Sequence, residues 1–182
     1  MARPTRFHHV AFGTKDLEAT YDFYANRLGL ELSHCENHRS GTGWFKHFFF
    51  HIGNGEQLGF FAFHDVGERP ACRTDISTGL GLPVWINHVA FNLGSMAEIE
   101  AMKARAQSSG VKLAMEIDHG ACYSIYFVDP NGIMVEFATD TAGEMFTQAP
   151  AEALRLLRQD PSEIGEEHRK DATTAGIKTM TV

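Results

Sequence analysis

Phe7 to Gly13 reads as a strand, and apolar residues then fall at helical spacing from Asp16 to Arg27, with Leu17, Tyr21, Tyr24 and Leu28 on one face. Gly29 supplies a left-handed stop, and strand patterning resumes near Leu30 to Cys35, Phe45 to Ile52 and Gln57 to His64. Asn37 to Gly43 reads as a polar loop. The strand through Phe45 and His51 is too aromatic for a surface strand and is expected to lie across a cup. Residues 66–83 have turn composition and link this βαβββ unit to a second one. There the pattern gives a strand at Ile86 to Leu93, a helix from Ser95 to Ser109 stopped by Gly110, and strands at Lys112 to Ile117, Tyr123 to Val128 and Ile133 to Ala138. Asp129-Pro130-Asn131-Gly132 is a turn between the last two strands. Beyond Thr139, Pro150 opens a short helix ending near Arg158 and Pro161 opens another, while Asp171 to Val182 reads as disordered.

The two units are copies. His9-Val10-Ala11-Phe12 returns as His88-Val89-Ala90-Phe91, and each histidine is followed seven positions later by a helix-capping residue, Asp16 or Ser95. The closing strands also correspond, Asn54 to Phe60 with Asn131 to Phe137, so that Glu136 aligns with Gly59. The offsets agree to within two residues, at 48 from His88 to Glu136 and 50 from His9 to Gly59. Two tandem βαβββ modules packed about a pseudo-twofold would form a cup-shaped mixed sheet around a metal site, an α+β architecture, and bring both imidazoles toward a shared cavity. Two histidines and one carboxylate on strands are the ligand set of a non-heme iron(II) centre with open positions. Gly59 would leave a further corner free for water or substrate. The organisation expected is one domain, with module one at about 5–65, the linker at 66–83, module two at about 84–139 and a short helical C-terminal tail over 140–182.

Composition narrows the setting without choosing a reaction. The chain is 43% apolar and 21% charged, and no run has the length needed to cross a membrane. Met1 to Arg6 carries two arginines with no apolar signal core behind them, and Cys35, Cys72 and Cys122 lack metal-knuckle spacing. Reduced thiols and a cytoplasmic protein are expected. A formal net charge of -7, with no basic cluster, argues against nucleic acid as a partner.

With the repeat and its histidines established, the chain up to Thr139 resembles the vicinal oxygen chelate superfamily, whose members include extradiol ring-cleaving dioxygenases, glyoxalase I, fosfomycin-resistance transferases and methylmalonyl-CoA epimerase. A longer stretch is similar to the extradiol signature at every constrained position: Ile117-Asp118-His119, five residues, Ile125-Tyr126, two residues, Asp129-Pro130-Asn131-Gly132, three residues, Glu136. The resemblance implies that His9, His88 and Glu136 hold Fe(II), or sometimes Mn(II), and that a small catechol-like aromatic substrate and O2 meet there. It implies that His119 and Tyr126 hydrogen-bond substrate or oxygen and tune proton transfer, and that the protein is a homodimer.

One departure stands out. Extradiol enzymes usually carry a further acid–base histidine near the last strand of module one, where this chain has Gln57-Leu58-Gly59; His47, His51 and His64 are the nearby histidines. Lone histidines such as His8, His34, His38 and His168 are read as packed or hydrogen-bonded residues, whereas duplication sets His9 and His88 apart. Two other classes stay open: a metal-dependent lyase, epimerase or thiol transferase of the same superfamily, and a non-catalytic small-molecule-binding protein.

Overall fold

The computed structural model describes residues 4–67, 72–141 and 149–163; the disordered reading for 171–182 lies outside them. Module one runs β1 (His9–Thr14), α1 (Leu17–Tyr21), a π-helical turn (Asp22–Arg27), β2 (Glu31–Ser40), β3 (Gly43–Gly53) and β4 (Glu56–His64). After a 3-10 turn at Thr78–Leu80, module two runs β5 (His88–Asn92), α2 (Met96–Ser108), β6 (Met115–Asp118), β7 (Cys122–Val128) and β8 (Met134–Asp140). The tail contributes α3 (Pro150–Leu157), opened by Pro150 as the sequence predicts, and a 3-10 turn at Pro161–Glu163.

Each module forms its own four-stranded sheet, in the orders β1-β4-β3-β2 and β5-β8-β7-β6. The first strand pairs in parallel with the last in both, and the remaining pairings are antiparallel. The duplication holds at the level of register: Ala11 faces Gly59 and Ala90 faces Glu136. Gly59 is therefore the positional counterpart of Glu136.

Two elements differ from the pattern-based reading. The predicted loop at Asn37 to Gly43 is mostly strand, because β2 continues to Ser40 and turns tightly into Gly43. Its polar composition reflects an edge strand with all ten residues exposed. The first helix also changes pitch after Tyr21, where Leu28 N–H bonds Phe23 C=O at 3.0 Å, five residues back. That wider turn shifts the helical phase, so Phe23 and Tyr24 are both buried and Tyr21, expected inside, is exposed.

Both modules share one core. Tyr24 and Leu28 from the first helix, Ile99 and Ala106 from α2, Phe50 and Phe60 from the first sheet, and Ile125, Val135 and Phe137 from the second belong to a single buried cluster. The helices tie the halves together on this side. Tyr24 OH donates to Asp129 Oδ2 at 3.0 Å, Asn131 Nδ2 to Thr20 Oγ1 at 3.2 Å, and Arg27 Nη1 to Ser109 O at 3.1 Å. Since strand side chains alternate, the residues between the core positions, His9 on β1 and His88 on β5 among them, occupy the opposite face of each sheet.

Candidate metal centre

Module two assembles a histidine–carboxylate pair. His88 opens β5, and Glu136 sits two residues along the neighbouring strand from His88's own register partner, Met134. Their side chains meet with Nε2 3.2 Å from Oε2. His88 Nδ1 lies 2.9 Å from the Trp85 carbonyl, which can only accept, so that ring nitrogen carries the proton. In the neutral ring Nε2 then presents a lone pair to a carboxylate oxygen. Two acceptors this close require a cation between them or a proton on the ring. The donor set fits a divalent metal, because ligand bonds of about 2.1 Å spanning this gap subtend about 100°, the angle of adjacent ligands around such an ion. The other carboxylate oxygen, Oε1, is fixed by Ser124 Oγ, which donates to it at 2.6 Å. Glu136 is buried at 7% exposure and Tyr126, its cross-strand partner on β7, at 6%.

His119, just beyond β6, places Nε2 3.0 Å from Tyr126 OH. Burial, then the neighbouring Glu136 charge, holds the Tyr126 phenol well above its ordinary value and keeps it protonated. His119, Tyr126, Ser124, Glu136 and His88 thus form one continuous polar chain on the site face of module two.

His9 does not join them. It lies on the corresponding face of the first sheet, where its Nδ1 is 2.8 Å from that of His8. Among the described residues, no three His, Cys, Asp or Glu side chains gather closely enough to hold one ion. The shared core explains this: it binds the modules through their helix sides, and the two site faces lie on the far side of each sheet. His88 and Glu136 come together within one chain, and His9 is left apart.

The corner at Gly59 is filled instead of open. A Cβ built there would meet Phe49 Cε1 at 3.1 Å and His47 Nε2 at 3.3 Å. The register makes His47 the counterpart of Ser124 and Phe49 that of Tyr126, so the residue bonded to the carboxylate in one module leans over the vacant position in the other. His47 Nε2 is enclosed and has no hydrogen-bond partner. Burial, then the neighbouring His9, pushes this imidazole below its ordinary value and favours the neutral ring. The sequence singled out His47 only as a neighbour of the missing acid–base histidine; its place over Gly59 depends on the β3–β4 register, which no local pattern specifies. His51 and His64 flank it on β3 and β4.

Two βαβββ modules in matching register, with a histidine–carboxylate pair at the second, define a tandem-module α+β protein. The chain belongs to the Glyoxalase/Bleomycin resistance protein/Dioxygenase superfamily, whose model matches residues 6–137. No curated protein is significantly similar in sequence. Among solved structures, a glyoxalase/bleomycin resistance protein/dioxygenase from Nocardioides is 25% identical, with a TM-score of 0.53 over 82% of this chain and 91% of that one. A lactoylglutathione lyase from Agrobacterium tumefaciens is 22% identical, with a TM-score of 0.52 over 75% and 95%. A mutant of the fosfomycin resistance protein FosX from Listeria monocytogenes, complexed with Mn(II) and 1S,2S-dihydroxypropylphosphonic acid, is 23% identical, with a TM-score of 0.53 over 77% and 96%. The last two likenesses are of fold. Among the described residues, no helix is long and apolar enough to cross a membrane.

Proposed function

We propose that the protein is a divalent-metal enzyme whose centre is completed by a second copy of the chain, and that it cleaves a catechol-like ring with O2 in the extradiol manner. His88 and Glu136 of one copy and His9 of the other would hold Fe(II) or Mn(II). That metal supplies Lewis acidity and a path for electrons between a chelating diol and O2. Assembly between copies is supported by the site faces lying away from the shared core. Apolar residues exposed beside both histidines support it too: Phe7 before His9, and Trp85 and Ile86 before His88. A closed pair of identical chains would cover both faces at once.

The observation that carries the dioxygenase reading is the His119–Tyr126 hydrogen bond beside Glu136. Diol ionisation needs a group that takes a proton, and ring opening needs one that returns it. His119 would make that exchange, with Tyr126 orienting its ring. A small aromatic substrate and a cytoplasmic setting fit the same reading, the latter through the three free cysteines.

Two measurements test it. His9→Ala and His88→Ala variants should each lose bound Mn(II), and mixing them under conditions that exchange subunits should restore about a quarter of the sites, the share expected from random pairing in a twofold dimer. No recovery on mixing would remove the shared centre. Separately, anaerobically loaded Fe(II) protein should consume O2 with a member of a catechol panel, and His119→Phe should lower that turnover by about 10²-fold with metal content unchanged. Metal binding without oxygen uptake would move the reading to a lyase, epimerase or transferase.

A further inference from the structure

Charge is distributed unevenly between the two sides of each sheet. Among the described residues, no strand position on either site face is a lysine or arginine. Lys46 on β3 and Arg39 on β2 alternate onto the helix side, where Lys46 bonds Asn37 at 2.8 Å. Lys103 is paired with Glu116 at 2.5 Å, again on the helix side of module two, and Arg27 and Arg105 bond backbone carbonyls between the helices. The carboxylates on the site faces are Glu136, Asp140 at the end of β8, Glu31 opposite His51 on β3, and Glu36, whose two oxygens are held by His34 at 3.0 Å and His38 at 2.9 Å.

The site face of module one is instead a layer of rings. His47 stacks on Phe61 with centroids 3.7 Å apart and planes 12° apart, and Phe49 packs against the same imidazole at a tilt, with centroids 4.0 Å apart. Phe45 continues the layer, 5.8 Å from Phe61, and His38 stacks on Phe45 at 4.8 Å. Since His47 Nε2 is enclosed, the layer offers a ligand π surface and no free donor at that nitrogen. From Phe45 to Phe49 it extends about 13 Å at the rise of a strand, longer than a single six-membered ring covers.

Resting on the reading that the two site faces meet across a pair of copies, we propose that the site takes an uncharged aromatic molecule of more than one ring and rejects aromatic anions. Away from the metal itself, a carboxylate, phosphonate or phosphate group brought between these faces would lose water and find carboxylates and ring faces, with no strand lysine or arginine to pair with it. A second fused or linked ring would gain stacking area on Phe61 and Phe45. This sets the chain apart from a phosphonate-binding site, which requires fixed positive charge.

Calorimetric titration of the Mn(II)-loaded protein with 2-naphthol and with 2-naphthoate tests this without any catalytic readout. The two probes share ring area and differ in charge. The expected result is binding of 2-naphthol at least about tenfold tighter, although a carboxylate is the better metal ligand, which makes the comparison stringent. Phe61→Ala should weaken 2-naphthol by about tenfold and leave metal content unchanged; if that variant does not fold, the wild-type ratio decides alone. Equal or tighter binding of 2-naphthoate, or binding of neither probe, overturns the proposal. A neutral preference in a protein that consumes no O2 with any catechol would overturn the dioxygenase reading and leave this one standing. Oxygen uptake with carboxylated catechols as good as with neutral ones would do the reverse.

Discussion

Glu136 has a different partner on each carboxylate oxygen: Ser124 at 2.6 Å on one and His88 at 3.2 Å on the other. The serine fixes the carboxylate plane and leaves the second oxygen aimed at the imidazole, as outer partners of a metal ligand do. Ser124→Ala should therefore weaken Mn(II) binding by about tenfold or more, read by metal titration, with little change in melting temperature. Unchanged affinity would mean that the hydroxyl only fills space. The repeat marked His88 and Glu136, which meet in module two, and His9, which stays apart from them, and the matching of Glu136 to Gly59 survives in the strand register. The crowding at Gly59, where the sequence suggested open space, was not legible. What fills it comes from β3, a strand whose offset from β4 depends on the hairpin between them and not on any residue near Gly59.

The elements themselves were predicted well where periodicity was strong and poorly where composition misled. Strand β2 looked like a loop after Cys35 because an edge strand exposed along its length has no apolar face to reveal it. The change from α to π pitch after Tyr21 was equally hidden, since it depends on tertiary demand for both Phe23 and Tyr24 in the core. Tyr24 also closes a bond to Asp129, whose carboxylate accepts from Asn131 N at 2.8 Å and Ile133 N at 2.8 Å as well. Tyr24→Phe removes one donor from a buried acid without changing the packing, and should destabilise the protein by about 1–3 kcal/mol in chemical denaturation. An unaltered midpoint would show that the turn satisfies Asp129 without help from the first helix.

At the scale of the molecule, sequence patterning gave two modules but could not say which sides they join. That choice lies in long-range contacts between the helices and the β7–β8 turn, and it decides that His9 stays apart from His88. One ionisable phenol, Tyr24, lies inside the same shared core and another, Tyr123, packs partly buried against it. Burial and Asp129 hold Tyr24 well above the ordinary value of 10.0, and a hydrogen bond to Glu116 followed by burial takes Tyr123 to about 12. Between the unfolded and folded values the native state keeps protons that the unfolded chain releases, so stability falls as pH rises above 10. Phenolate absorbance from Tyr24 should appear together with loss of circular dichroism in an alkaline titration. Ionisation of Tyr24 well before unfolding would contradict its enclosure.

The alternation along β1 and β5 has a consequence for how such a chain can change over generations. Val10 and Phe12, or Val89 and Phe91, pack with the core, while His9 and Ala11, or His88 and Ala90, face away from it. Substitutions on one side are tested by folding and those on the other by chemistry, nearly independently. A lineage can therefore rewrite its reaction at every second residue of a strand while its architecture stays put. That partition gives a physical reason why proteins bearing the names of a lyase and of a fosfomycin resistance factor share this backbone at 22% and 23% identity.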